Sequence, residues 1–334
     1  MHIFRAALLA LAALSASGIA AAAEPPVLTV YTYSSFTADW GPGPAVKKAF
    51  EANCACRLDF VSVGAAVDIL TRLRLEGKST KADVALGLDL NLAAEAAGTG
   101  LFAPSDVDLS ALKLPVPWTD KLFVPFDYGY FAFVYDKTKL ANPPTSLKAL
   151  VEGDPAQKIL IEDPRTDTTG LGLMLWVRQV YGDQATDAWA KLHRRILTVS
   201  KSWDEAYGLF LKGEAPLVLS YTTSPAYHVI AEKKENYAAA EFAEGHYLQV
   251  EIAGRLAGSK QPELAQRFLA FVASPEFQAI IPTTNWMYPV LPPPGGLPAV
   301  FDAYKPAKAL LYPSAEVAAH RRDWVQEWLT GMSR

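Results

Sequence analysis

From residue 27 onward, short apolar or alternating runs are separated by stretches whose apolar positions recur every three or four residues. Val27–Tyr33 (VLTVYTY), rich in β-branched and aromatic residues, predicts a strand. Pro44 opens a helix where proline is tolerated, with Ala45, Ala49 and Phe50 on its apolar face. Leu58–Val63 predicts a second strand. Val67–Glu76 predicts a helix with Leu70 and Leu73 inward, stopped by Gly77. Ala82–Leu88 (ADVALGL), almost wholly apolar, predicts a strand covered on both faces. This β-α-β-α-β order predicts a doubly wound α/β domain.

Phe123–Tyr135 (FVPFDYGYFAFVY) is strand-like but interrupted by Pro125 and Gly129, and it exceeds the ~5–6 residues of a typical strand. It reads as a segment passing from one domain to another. Helices are then expected at Ser146–Glu152, Gly170–Tyr181, Thr186–His193 and Trp203–Lys212, and strands at Lys158–Glu162 and Pro216–Tyr221. Ser224 and Pro225 read as the N-cap and first residue of another helix. Tyr247–Ala257 resembles a second crossing strand. Pro262–Ser274 is amphipathic, Pro275 opens a helix through Ile280, Pro289–Pro298 reads as a linker, and Ala315–Leu329 is a terminal helix. Two doubly wound α/β lobes joined by crossing strands describe a hinged receptor, with lobes expected at 24–125 plus 250–288 and at 126–249 plus 289–334. Ligands in such sheets sit at the carboxyl ends of the strands.

The first 23 residues follow a different pattern. Arg5 precedes the apolar run Ala6–Leu14, and Ala21–Ala23 offer small residues for cleavage before Glu24, the layout of a secretory signal peptide. The run is far shorter than the ~20 residues a membrane span needs. Export to the periplasm follows. It permits a disulfide between Cys54 and Cys56, the two cysteines of the chain, with two buried thiols as the alternative. The 334 residues carry 31 Lys and Arg against 35 Asp and Glu, a net charge of −4, which excludes a general electrostatic footprint for nucleic acid. Metalloprotease, nucleophile-elbow, P-loop and dinucleotide-binding motifs are absent from the sequence, and the five histidines show no ligand spacing. No metal or cofactor is expected.

Aromatic residues gather at the expected strand ends: Tyr31 and Tyr33, then Trp40; Trp203; Tyr221; Trp286 and Tyr288. Core packing is the simpler reading of any one of them. Their recurrence at loop mouths suits a flat or cationic ligand, each well-placed ring contributing ~0.5–2 kcal/mol. Helix N-termini expected near Thr168 and at Ser224 would favour an anionic group on the same ligand.

Taken together, VLTVYTYSSFTADWGPGP, EDPRTDTTGLGLMLW, WDEAYGLFLKGE, LVLSYTTSPAYH, EGHYLQVE and NWMYPV resemble the periplasmic thiamine-binding proteins of bacterial ABC importers, and the resemblance extends from about Val27 to Arg334. It implies a type II periplasmic binding-protein fold. It also implies a non-enzymatic monomer that captures thiamine, with its mono- and diphosphates, and delivers it to a permease. The family's ligand positions fall on Trp203, on Tyr221, Thr222, Thr223 and Ser224, on Thr168, on Trp286 and Tyr288, and on Tyr33. Two places depart from the family pattern. Val63-Gly64-Ala65-Ala66 carries no carboxylate where acidic residues are expected, and Asp167 replaces a serine. Asp167 is therefore a candidate counter-charge for a thiazolium, one that would repel a phosphate; a solvated helix-capping residue is the alternative. The rival functions are a thiaminase-like enzyme, which needs a nucleophilic cysteine in the cleft, and an Fe³⁺ receptor, which would want paired tyrosines.

Overall fold

In the computed structural model, which describes residues 24–334, strands β1 (Val27–Thr32), β2 (Arg57–Ser62) and β3 (Val84–Asp89) pair in parallel, with β1 in the middle. The expected signal peptide lies outside the described residues. β4 (Phe123–Asp136) is one unbroken strand of 14 residues, longer than Pro125 and Gly129 led us to expect. It stays continuous because it changes partner midway. Phe123–Tyr130 runs antiparallel to β9 (His246–Arg255), with a register shift at Pro125 that accommodates the missing N–H, and Phe131–Tyr135 runs antiparallel to β7 (Leu217–Tyr221).

β5 (Ile159–Glu162) lies parallel to both β7 and β6 (Ile196–Ser200), giving the order β2-β1-β3-β9-β4-β7-β5-β6. Short strands β8 (Tyr237–Ala239), β10 (Tyr288–Pro289) and β11 (Ala309–Leu310) pair with β4, β4 and β9. The result is the α/β periplasmic binding-protein fold, its two lobes joined through β4 and β9. β6 was not anticipated: its half-exposed residues gave no apolar run.

Helices pack on both faces of the sheet. The helix Thr168–Tyr181 buries ten consecutive residues, Thr168 through Val177. A Cβ on Gly172 would overlap the fully buried Phe131 ring, so glycine lets this helix lie close against β4. The helix Gly43–Cys54 carries Pro44 in its first turn, and the disulfide Cys54–Cys56 (Cα separation 5.1 Å) links its end to the start of β2. The final helix, Ser314–Met332, packs against both Ala93–Ala97 and Ala185–His193. Arg321 binds Glu95 through two hydrogen bonds of 2.9 Å, and Arg334 pairs with Asp187 at 2.8 Å. This helix therefore ties a helix that follows β3 to one that precedes β6.

Candidate functional site

The loops that follow β1, β2, β5, β6 and β7 converge with β9, the end of the helix Pro275–Thr284 and the residues after it around a cavity of about 520 Å³. That volume suits a small organic ligand. The site lies where the connectivity places it, at strand ends leading into helices.

Seven of the ten expected ligand residues line this cavity: Tyr33, Asp167, Thr168, Trp203, Tyr221, Ser224 and Trp286. The other three do not reach it. Tyr288 is buried in β10, stacks on Tyr128 with centroids 5.2 Å apart, and donates to the Phe301 carbonyl at 2.9 Å. Thr222 and Thr223 are buried, and their hydroxyls have no hydrogen-bond partner among the described residues. Ser224 is the first residue of a four-residue helix rather than its N-cap. Its Oγ turns back to accept from the Tyr221 N–H (3.2 Å) and meets Ser220 Oγ at 2.7 Å.

Aromatic walls dominate the cavity. Trp203 stacks on Tyr207 (5.1 Å between centroids), and its Nε1 donates to Ser220 Oγ at 2.8 Å, which fixes the indole plane. Trp40, 56% exposed, stands 6.3 Å from Trp203. Trp286 holds a left-handed backbone (φ 57°) and meets the Tyr227 ring edge-on at 5.4 Å. A bulky residue adopts that conformation only where its surroundings impose it. Gly87, at φ 95°, leaves the space across β3 that the Tyr33 ring occupies.

Beneath the rings lies a carboxyl cluster absent from the expected ligand residues. Tyr33 Oη donates to Glu251 Oε2 at 2.8 Å. Asn285 Nδ2 bridges Asp127 Oδ2 (2.7 Å) and Glu251 Oε2 (3.1 Å). Both acids are buried. Burial, against the hydrogen bonds from Tyr33, Asp127 and Asn285, pushes the Glu251 carboxyl up to about 7. Burial and the neighbouring Glu251 charge push Asp127 well above the usual carboxylate range, and the same two effects raise the Tyr33 phenol. The signal was present in the sequence: Asp127, Gln249 and Glu251 are polar residues inside otherwise apolar strands, and such residues need a reason.

Asp167 forms a second acidic feature. Its Oδ1 accepts from the Thr169 N–H (2.8 Å), and its Oδ2 accepts from the Trp203 N–H (3.1 Å). It is therefore the N-cap of Thr168–Tyr181 and also binds the first N–H of the helix Trp203–Leu211. With Asp204 it brings the carboxyls at the cavity wall to three, including Glu251. No lysine, arginine or histidine is among the described residues that line it. The nearby Arg165 is occupied elsewhere, paired with Asp163 and lying over the Trp328 ring at 5.5 Å. Cys54 and Cys56 are bonded to each other and are not part of the lining.

A two-lobed α/β fold with an acidic, aromatic cavity at its strand ends defines a small-molecule receptor, and this chain belongs to the bacterial extracellular solute-binding proteins, whose family model matches residues 79–321. Its relatives are more particular. It is 62% identical over 310 residues to the thiamine-binding periplasmic protein of Escherichia coli (strain K12), covering 92% of this chain and 94% of that one. A solved periplasmic thiamin binding protein superposes with a TM-score of 0.91 at 61% identity, covering 94% of this chain and 98% of that chain. The ferric binding protein from Campylobacter jejuni, at 16% identity and a TM-score of 0.77 over 91% of this chain and 99% of that one, shares the fold.

Proposed function

We propose that this protein captures thiamine in the periplasm and hands it to the permease of an ABC importer, acting as a monomeric carrier without catalysis. The observation that carries this reading is the cavity wall, which combines the rings of Trp203, Tyr221, Tyr227 and Trp286 with three carboxyls and no basic side chain among the described residues. A ligand with a permanent positive charge and two flat rings matches that wall: each ring face it meets contributes ~0.5–2 kcal/mol. Glu251 and Asp167 supply the opposite charge, and Thr168 Oγ1, buried and unpartnered, is free to take a hydrogen bond from the ligand. The identity to proteins named for thiamine supports the same ligand.

Isothermal titration of the protein lacking residues 1–23 tests the reading. The expected result is saturable 1:1 binding of thiamine at micromolar or lower concentration, with a change in tryptophan fluorescence and no released thiazole. Absence of both heat and fluorescence change would overturn it, and release of thiazole would replace it with the enzymatic alternative.

A further inference from the structure

The family resemblance implies phosphate esters of thiamine as further ligands; the charges around the cavity oppose them. Two helix N-termini that open on the cavity, those of Thr168–Tyr181 and Trp203–Leu211, carry the partial positive charge that would attract an anion. Both are already bound by one carboxylate of the chain. We propose that Asp167 is a built-in anion that occupies this position and makes the unphosphorylated cation the preferred ligand over its phosphate esters, an inference that rests on the thiamine reading above.

The proton arrangement keeps that carboxylate charged. Thr169 Oγ1 lies 2.6 Å from Asp167 Oδ1 and 2.7 Å from Glu162 Oε2. One hydroxyl has one hydrogen, so one of the two acids must donate to it. Glu162 is fully buried, and burial and the Asp167 charge hold its carboxyl well above the usual range. Glu162 therefore carries the proton and donates to Thr169 Oγ1, whose own hydrogen goes to Asp167. Burial also raises the Asp167 carboxyl, but its hydrogen bonds from Thr169 and Trp203 oppose that. A phosphate ester, carrying about −1.5 to −2 charge at neutral pH, would meet Asp167 together with Asp204 and Glu251, and the described lining offers no basic side chain in compensation.

The test is competitive titration of the wild-type protein with thiamine, thiamine monophosphate and thiamine diphosphate, repeated with D167S and D167N. In the wild type, thiamine is expected to bind about tenfold or more tightly than either ester, the scale of one charge-assisted contact. In D167S that ratio is expected to fall by a similar factor or invert. D167N removes the charge and keeps an acceptor oxygen for one of the two helix N-termini, and it is expected to move the ratio the same way. Wild-type affinity for either ester equal to or above that for thiamine would overturn the inference. So would ratios unchanged in folded variants. Failure of the wild type to bind thiamine would instead remove the functional reading on which it rests.

Discussion

At the scale of single residues, Glu251 pays for its place in the fold with a desolvated carboxyl. Its carboxyl is taken from water into a site already holding Asp127, and the cost appears as a raised proton affinity. The sign of the consequence follows. A carboxyl whose folded pKa lies above its unfolded one stabilises the protein below the unfolded value, and that contribution is lost as pH rises towards about 7. The ligand-free protein is therefore expected to melt lower at about pH 8 than at about pH 5.5, with E251Q flattening the trend by roughly 1–3 kcal/mol. Binding runs in the opposite direction. Thiamine affinity is expected to rise as Glu251 ionises between about pH 6 and pH 8, and E251Q is expected to bind about tenfold more weakly at the upper end, with little pH dependence. Titration calorimetry at three pH values checks both claims, and a flat wild-type profile would contradict them.

Elements position these residues, and here the limits of reading from sequence become physical. Most strands and helices were legible because each buries one face or both, and the apolar period betrays it. The strand-end rule located the right loops as well, but it does not say which side chains turn inward. Tyr221, the last residue of β7, lines the cavity while Thr222, the first residue of the turn beyond it, does not. Tyr288 sits beside the lining residue Met287, yet its antiparallel pairing with Tyr128 commits it to a buried stack. Glu251 and Asp127 went unnamed because their partners lie on distant segments, one of them Asn285. Asp167 was legible as a charge but not as a cap shared by two helices, which needs the proximity of residues 36 positions apart. The close contact between the helix Thr168–Tyr181 and β4 yields a prediction at this scale. G172A is expected to destabilise by about 1–3 kcal/mol through crowding of Phe131, despite alanine's higher helix propensity. F131L in the same chain should restore part of the loss in thermal melts. A G172A protein as stable as the wild type would show that the ring can move aside.

At the scale of the whole molecule, two strands cross between the lobes and one helix braces them. β4 and β9 carry the sheet from one half to the other, and the helix Ser314–Met332 with the residues just after it joins Glu95 to Asp187 through Arg321 and Arg334. Arg321 and Glu95 are largely shielded from solvent, but Glu95 also pairs with Arg74, so R321A leaves the carboxylate one partner and is expected to cost only about 0.5–1.5 kcal/mol, lowering the melting temperature by a degree or a few. A melt indistinguishable from wild type would reduce this pair to surface decoration.

The brace constrains how the jaws can part. No residue of Ser314–Met332 belongs to the cavity wall, so the tie it makes between Ala93–Ala97 and Ala185–His193 lies outside the ligand site and opposes a separation of free halves. Displacement is then least beside this tie. A spectroscopic probe seated along the terminal helix would remain nearly silent during ligand entry, whereas the indoles of Trp40 and Trp203, facing each other across the opening, would report it in full.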